Sequence, residues 1–109
     1  MGRAMFPALD GVTARRLAGS LDDIANRLGR ADSADEFVSA LDDNGHLWEK
    51  VRRAAGRYGW SLPSRLLDFS LASSARARHG LSDHDVESII AINRQISSAI
   101  RSDSGPTIR

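Results

Sequence analysis

Three histidines, His46, His79 and His84, are the side chains of this sequence suited both to acid–base chemistry and to metal ligation, so a catalytic or metal reading begins with them. A zinc-type pair on a helix needs two ligands four residues apart on one face, and the nearest approach is Asp42 with His46. That pair reads as a solvated contact on a helix surface. His79 and His84 flank a turn, where surface or C-capping roles account for them. Glycines such as Gly29, Gly56, Gly59 and Gly80 punctuate helix ends and form no G-x-x-x-x-G-K phosphate loop. Serine is frequent, yet no Gly-x-Ser-x-Gly elbow surrounds one. With no cysteine, thiolate zinc sites, thiol nucleophiles and disulfides are removed as well. The expectation is a protein that is not an enzyme and carries no metal or cofactor.

The elements that would position any site are helices. Leu17, Leu21, Ile24 and Leu28 recur with a 3.6-residue period, which predicts a first helix over 12–30, capped by Asp10 or Thr13. Ser33 and Glu36 make a capping box, with the Glu36 carboxylate reaching back to the Ser33 amide, and open a second helix. Its apolar stripe runs Phe37, Leu41, Asn44, Trp48, Val51 and Ala55, flanked by Leu47 and Ala54. Gly56, Gly59 and Ser61 mark a turn, and Pro63 suits the first position of a third helix that runs to His79 and stops at Gly80. Leu62, Leu66, Leu67, Phe69 and Leu71 give that helix a short stripe that fades into Ser73 and Ser74. Ser82 caps a fourth helix carrying Val86, Ile89, Ile90, Ile96 and Ile100, and Ser102 to Arg109 reads as a flexible tail. The pattern predicts an all-α, four-helix bundle-like single domain over 1–101, followed by the tail at 102–109.

Size and charge agree with that reading. A chain of 109 residues has room for one core, and 41% apolar with 27% charged residues is ordinary for a globular domain. A formal net charge of +1 argues against a general nucleic-acid binder. No apolar run approaches the ~20 residues that span a bilayer, and Met1 to Val12 has no secretion-signal pattern, so the expected location is cytoplasmic, without membrane insertion. Charge is nonetheless segregated: Asp32 to Glu49 holds six acids and no base, whereas Lys50 to Gly80 holds seven bases and one acid. The basic stretch fits a solvated face, or a docking surface for an acidic segment or RNA.

Two polar residues interrupt the apolar stripes. At 100° per residue, Asn44 falls in the centre of the second helix's stripe and Asn93 in that of the fourth, so both are expected to be buried. A buried amide must find partners, which makes these residues candidates for fixing the register of the bundle against a loop or a facing helix. Trp48 lies in the same stripe and is expected in the core, with an indole N–H that needs an acceptor. Nothing in the pattern buries Tyr58 or Trp60. The two rings either cover the end of the bundle or, together with Arg53, Arg57, Leu62 and Pro63, form the expected partner-binding surface, an aromatic and arginine cluster of the kind enriched at interfaces.

The segment Ala40-Leu41-Asp42-Asp43-Asn44-Gly45-His46-Leu47-Trp48 resembles the AL-x-x-N-x-x-LW core of the FlaF family of flagellar biosynthesis regulators. Leu62-Pro63 follows fourteen residues after Trp48, and Ile89-Ile90-Ala91-Ile92-Asn93-Arg94 is similar to the family's LI-x-INR. Leu41, Asn44, Leu47, Trp48, Ile92, Asn93 and Arg94 are the positions that carry the motif. The chain departs from it at Gly45, where the family commonly has Arg, and at Glu49, where it has Thr. The resemblance implies a cytoplasmic adaptor that binds flagellin and promotes its synthesis or secretion, working beside the translational regulator FlbT. Direct partnership with FlbT, or RNA-linked regulation of flagellin, is the alternative it leaves open, and self-association is open for so small a bundle.

Overall fold

A computed structural model describes Phe6 and residues 9–76 and 81–104. They form four helices: α1 (Gly11–Arg30), α2 (Ala34–Tyr58), α3 (Ser64–Ala75) and α4 (Asp83–Ser104), with no strand among the described residues. The all-α, four-helix bundle-like architecture predicted from periodicity is the one observed. No described helix is long and apolar enough to cross a membrane.

Local chemistry explains where each helix begins. The Asp10 carboxylate accepts from the Thr13 amide at 2.8 Å and from the Thr13 hydroxyl at 3.1 Å, filling donors that the first turn leaves without partners. Those two bonds, in that order, hold the Asp10 carboxyl below the usual carboxylate range. Ser33 accepts from the Glu36 amide at 3.1 Å, but Glu36 reaches back to the Asp32 amide at 2.8 Å rather than to that of Ser33. Ser82 caps α4 through the Asp85 amide at 3.1 Å. Pro63 is the N-cap of α3 and not its first helical residue, and it offers no side-chain cap.

The helix ends differ in places from the pattern. Gly56 lies inside α2, which ends where Gly59 takes a left-handed φ of 70° and its amide bonds back to Ala55. α3 closes at Ala75 because the Arg76 amide is shared between the Ala72 and Ser73 carbonyls, at 3.2 Å each. The expected ending at His79 and Gly80 lies outside the described residues. α4 continues through Ser102 to Ser104, three residues into the expected tail, and 105–109 lie outside the description.

α1 packs along α4 and also against α2, while α3 rests on α2 and scarcely touches α4. Buried alanines on α1, Ala14, Ala18 and Ala25, let helix backbones come close, with Leu21, Ile24 and Leu28 filling the core between them. Leu21, Trp48, Val51, Ile96 and Ile100 form one part of that core, and Ile24, Leu28, Leu41 and Ile89 the other. Arg27 pairs with Asp43 at 2.8 Å across α1 and α2, and Arg101 with Asp22 at 2.6 Å across α4 and α1. Exposed pairs of this kind fix orientation more than they add stability.

The inward face of α3 is the main departure from expectation. Its fully buried residues are Ser70, Ser73 and Ser74, while Leu66, Leu67, Phe69 and Leu71 are half-buried. A β-carbon placed on Gly45 of α2 would stand 3.1 Å from Ser74 Cβ. The two helices approach closely there, and the seam admits only small side chains.

Candidate functional site

Two sets of residues merit attention, one inside the bundle and one on its surface. Inside, Asn44 and Asn93 are both 0% exposed, as their positions in the stripes predict. They bond to each other rather than to a loop: Asn93 Nδ2 donates to Asn44 Oδ1 at 2.8 Å. Trp48 Nε1 donates to Asn93 Oδ1 at 3.0 Å, and Asn44 Nδ2 donates to Ser74 Oγ at 2.9 Å. The Ser74 hydroxyl donates in turn to the Ser70 carbonyl at 2.9 Å. The result is a single line of donors that runs from α2 to α4, back to α2 and on to α3. Every bond points the same way along it, an arrangement in which each dipole polarises the next. Beside it, the Ser70 hydroxyl is buried without a partner.

The separated pieces of sequence that carry the FlaF-like pattern therefore meet in space. Leu41, Asn44 and Trp48 come from the first piece and Asn93 from the last, and the bonds joining them span 45 and 49 residues. Leu47 and Ile92 are half-buried on the flanks of the core. Arg94 points outward and donates to Asn26 of α1 at 3.0 Å. Leu41, Asn44, Trp48 and Asn93 are structural in geometry: they are buried and hold helices in register.

On the surface, the expected partner-binding cluster divides in two. Arg53, Arg57 and Tyr58 are exposed, Tyr58 at 45%, and the Arg57 guanidinium carbon stands 5.9 Å from the centre of the Tyr58 ring. Trp60, in contrast, is 9% exposed and belongs to the core, where it covers the end of the bundle rather than standing on its surface. The left-handed turn at Gly59 folds the chain back under the end of α2, and the Trp60 amide bonds to the Ala55 carbonyl at 3.1 Å. Phe6 meets the indole edge-on at 5.3 Å and Tyr58 stacks over it at 6.3 Å. Leu62 is half-buried against the same core, and Pro63 is exposed.

Tyr58 and Trp60 close one end of a groove of about 440 Å³ between the first half of α1 and the second half of α2. Leu17, Leu47, Val51 and Ala54 line its length, with Arg16 and Lys50 beside them. Sequence reasoning missed these α1 and α2 residues as one surface, because only the pairing of the helices brings Leu17 opposite Leu47. A second, shallower cleft between α1 and α4 holds Asp22, Asn26, Arg94 and Arg101, which are already bonded to one another.

His46 and His84 are exposed on different helices, and His79 lies outside the described residues. No group of three histidine or carboxylate side chains arranged to hold a metal occurs among the described residues. No protein-family model matches the chain, and neither a curated protein nor a solved structure matches it.

Proposed function

We propose that this protein is a non-enzymatic, cytoplasmic adaptor of flagellum assembly that binds flagellin and promotes its synthesis or secretion. The observation that carries the reading is the meeting of Asn44, Trp48 and Asn93, the polar and aromatic positions of the FlaF-like pattern, in one buried hydrogen-bond line. Residues so far apart in sequence, matching a family pattern in order and joined in one unit, support treating the resemblance as that of a whole domain. The groove beside Tyr58 supports the mode of binding. Its leucine and alanine floor suits the apolar stripe of an amphipathic helix, and the terminal segments of flagellin are helices of that kind.

Size-exclusion chromatography with light scattering, on the protein alone and mixed with flagellin of its own organism, tests the reading. A complex of defined mass that survives high salt is expected, because an apolar groove responds little to ionic strength. Failure to form one, with FlbT or flagellin mRNA co-eluting instead, would replace flagellin as the direct partner. RNA binding would announce itself by a steep fall in affinity with salt.

A further inference from the structure

The groove between α1 and α2 carries a charge pattern that its own packing does not require. Lys50, Arg53 and Arg57 recur at spacings of three and four along α2, which sets them in one row beside Ala54 and Tyr58. Arg16 stands on the α1 side. All four are exposed, and none takes part in an ion pair among the described residues. Arg27, Arg52 and Arg101, in contrast, each have a carboxylate at 2.6–2.8 Å. From Lys50 to Leu67 there is no acid at all, and the nearest carboxylate in the groove, Asp10, is committed to the Thr13 amide and hydroxyl. The row of cations thus borders an apolar floor without an ion pair of its own, and Asp23 and Asp43 stand beyond its Arg16 and Lys50 end.

A floor of leucine, valine and alanine with a one-sided basic border is complementary to one kind of occupant. We infer that the groove takes an acidic amphipathic helix from a partner protein, its apolar stripe on Leu17, Leu47 and Ala54 and its carboxylates against Lys50, Arg53 and Arg57. The inference rests on the adaptor reading for the existence of a helical partner and adds the charge that such a partner must carry. A nucleic acid would engage the cations and leave the apolar floor unused. A second copy of this chain fits poorly, because its acidic segment of α2 packs Phe37 and Leu41 against its own core. Val12 and Tyr58 are its exposed large apolar side chains among the described residues, too few for a stripe.

Synthetic helical peptides of about 18 residues, five turns, with one leucine stripe flanked by glutamate, glutamine or lysine, supply the probes. Fluorescence anisotropy of the labelled peptides reads their affinity for the full chain. The glutamate peptide is expected to bind about tenfold more tightly than the glutamine peptide, the summed effect of three exposed ion pairs, and the lysine peptide more weakly still. The double variant Lys50→Glu/Arg57→Glu alters two exposed side chains and should melt like the parent while preferring the lysine peptide. Ala54→Trp fills the floor and should weaken all three peptides. Equal affinity for the three peptides, or no binding of the glutamate peptide, overturns the inference. So does single-stranded RNA that displaces the glutamate peptide and binds more tightly than it, or a dimer of the chain that the double variant dissociates. A flagellin complex that forms equally well with the double variant overturns the charge selection and leaves the adaptor reading in place. Charge-selective peptide binding without any flagellin complex supports the inference and removes the adaptor reading.

Discussion

Replacing Asn93 by leucine isolates the contribution of the buried polar line. Asn93 accepts from the Trp48 indole at 3.0 Å and donates to Asn44 Oδ1 at 2.8 Å, and all three side chains are fully buried. Asn93→Leu therefore leaves two buried groups without partners, each costing about 1–3 kcal/mol. Burying the leucine side chain returns about 1.5–3 kcal/mol. The net loss is about 2 kcal/mol, a large part of the 5–15 kcal/mol that holds a typical domain together. For a domain of this size it corresponds to a fall in Tm of about 8–16 °C. The double variant Asn44→Leu/Asn93→Leu removes the orphaned carbonyl and leaves the Trp48 N–H as the one donor without an acceptor, since Ser74 keeps its own bond to the Ser70 carbonyl. It also removes Asn93 Nδ2, which Asn44→Leu alone would strand, so its cost should be smaller than the sum of the two single substitutions by about 2 kcal/mol or more. Urea unfolding followed by far-ultraviolet circular dichroism of the parent, both singles and the double measures all four corners of the cycle. Parent-like stability in Asn93→Leu, or simple additivity in the double, would refute the picture of a connected line.

The remaining predictions concern the α2–α3 seam, the aromatic end and the first cap. Gly45→Arg forces a side chain against Ser74, so it should cost about 1–3 kcal/mol by overpacking and accelerate amide exchange throughout α3. Even in the parent, α3 should exchange faster than α1 and α4, because its buried face is serine and its N-cap is unassisted; equal protection of all helices by hydrogen exchange would contradict this. Trp60→Ala should destabilise by about 3 kcal/mol, as removal of a core aromatic does, whereas Tyr58→Ala should stay within about 0.5 kcal/mol of the parent and alter binding alone. By NMR titration the Asp10 carboxyl should protonate below the ordinary aspartate value. Because its folded pKa is the lowered one, its stabilisation is complete above the unfolded carboxylate range and is lost as pH falls through the folded value. Asp10→Asn keeps a capping oxygen and should abolish that pH dependence.

How much of this was legible in the sequence follows from which interactions are local. Helix positions and the caps at Asp10, Ser33 and Ser82 depend on residues within one turn, and spacing alone located them. The burial of Asn44 and Asn93 was legible too, since each sits mid-stripe on a helix with one apolar face. Their partnership was not, because it depends on how α2 faces α4 across the core. The sequence left Trp60 open between the bundle end and a partner surface for a related reason: its burial comes from the reversal at Gly59 and from Phe6, neither of which has a periodic signature. On α3 the leucine spacing marks an apolar face, yet the close approach at Gly45 places the serines inward. The groove itself exists only once α1 and α2 lie side by side. Its basic border, in contrast, was visible as the stretch from Lys50 onward that lacks acids.

A photo-cross-linking side chain placed at Tyr58, with the same group at Ser98 on α4 as a control, tests the adaptor account most directly. Both positions are exposed. Irradiation in the presence of flagellin should give an adduct from position 58, mapping by mass spectrometry to a flagellin helix, and none from position 98. An adduct from position 98 alone, or no adduct from either when flagellin is abundant, would contradict the account.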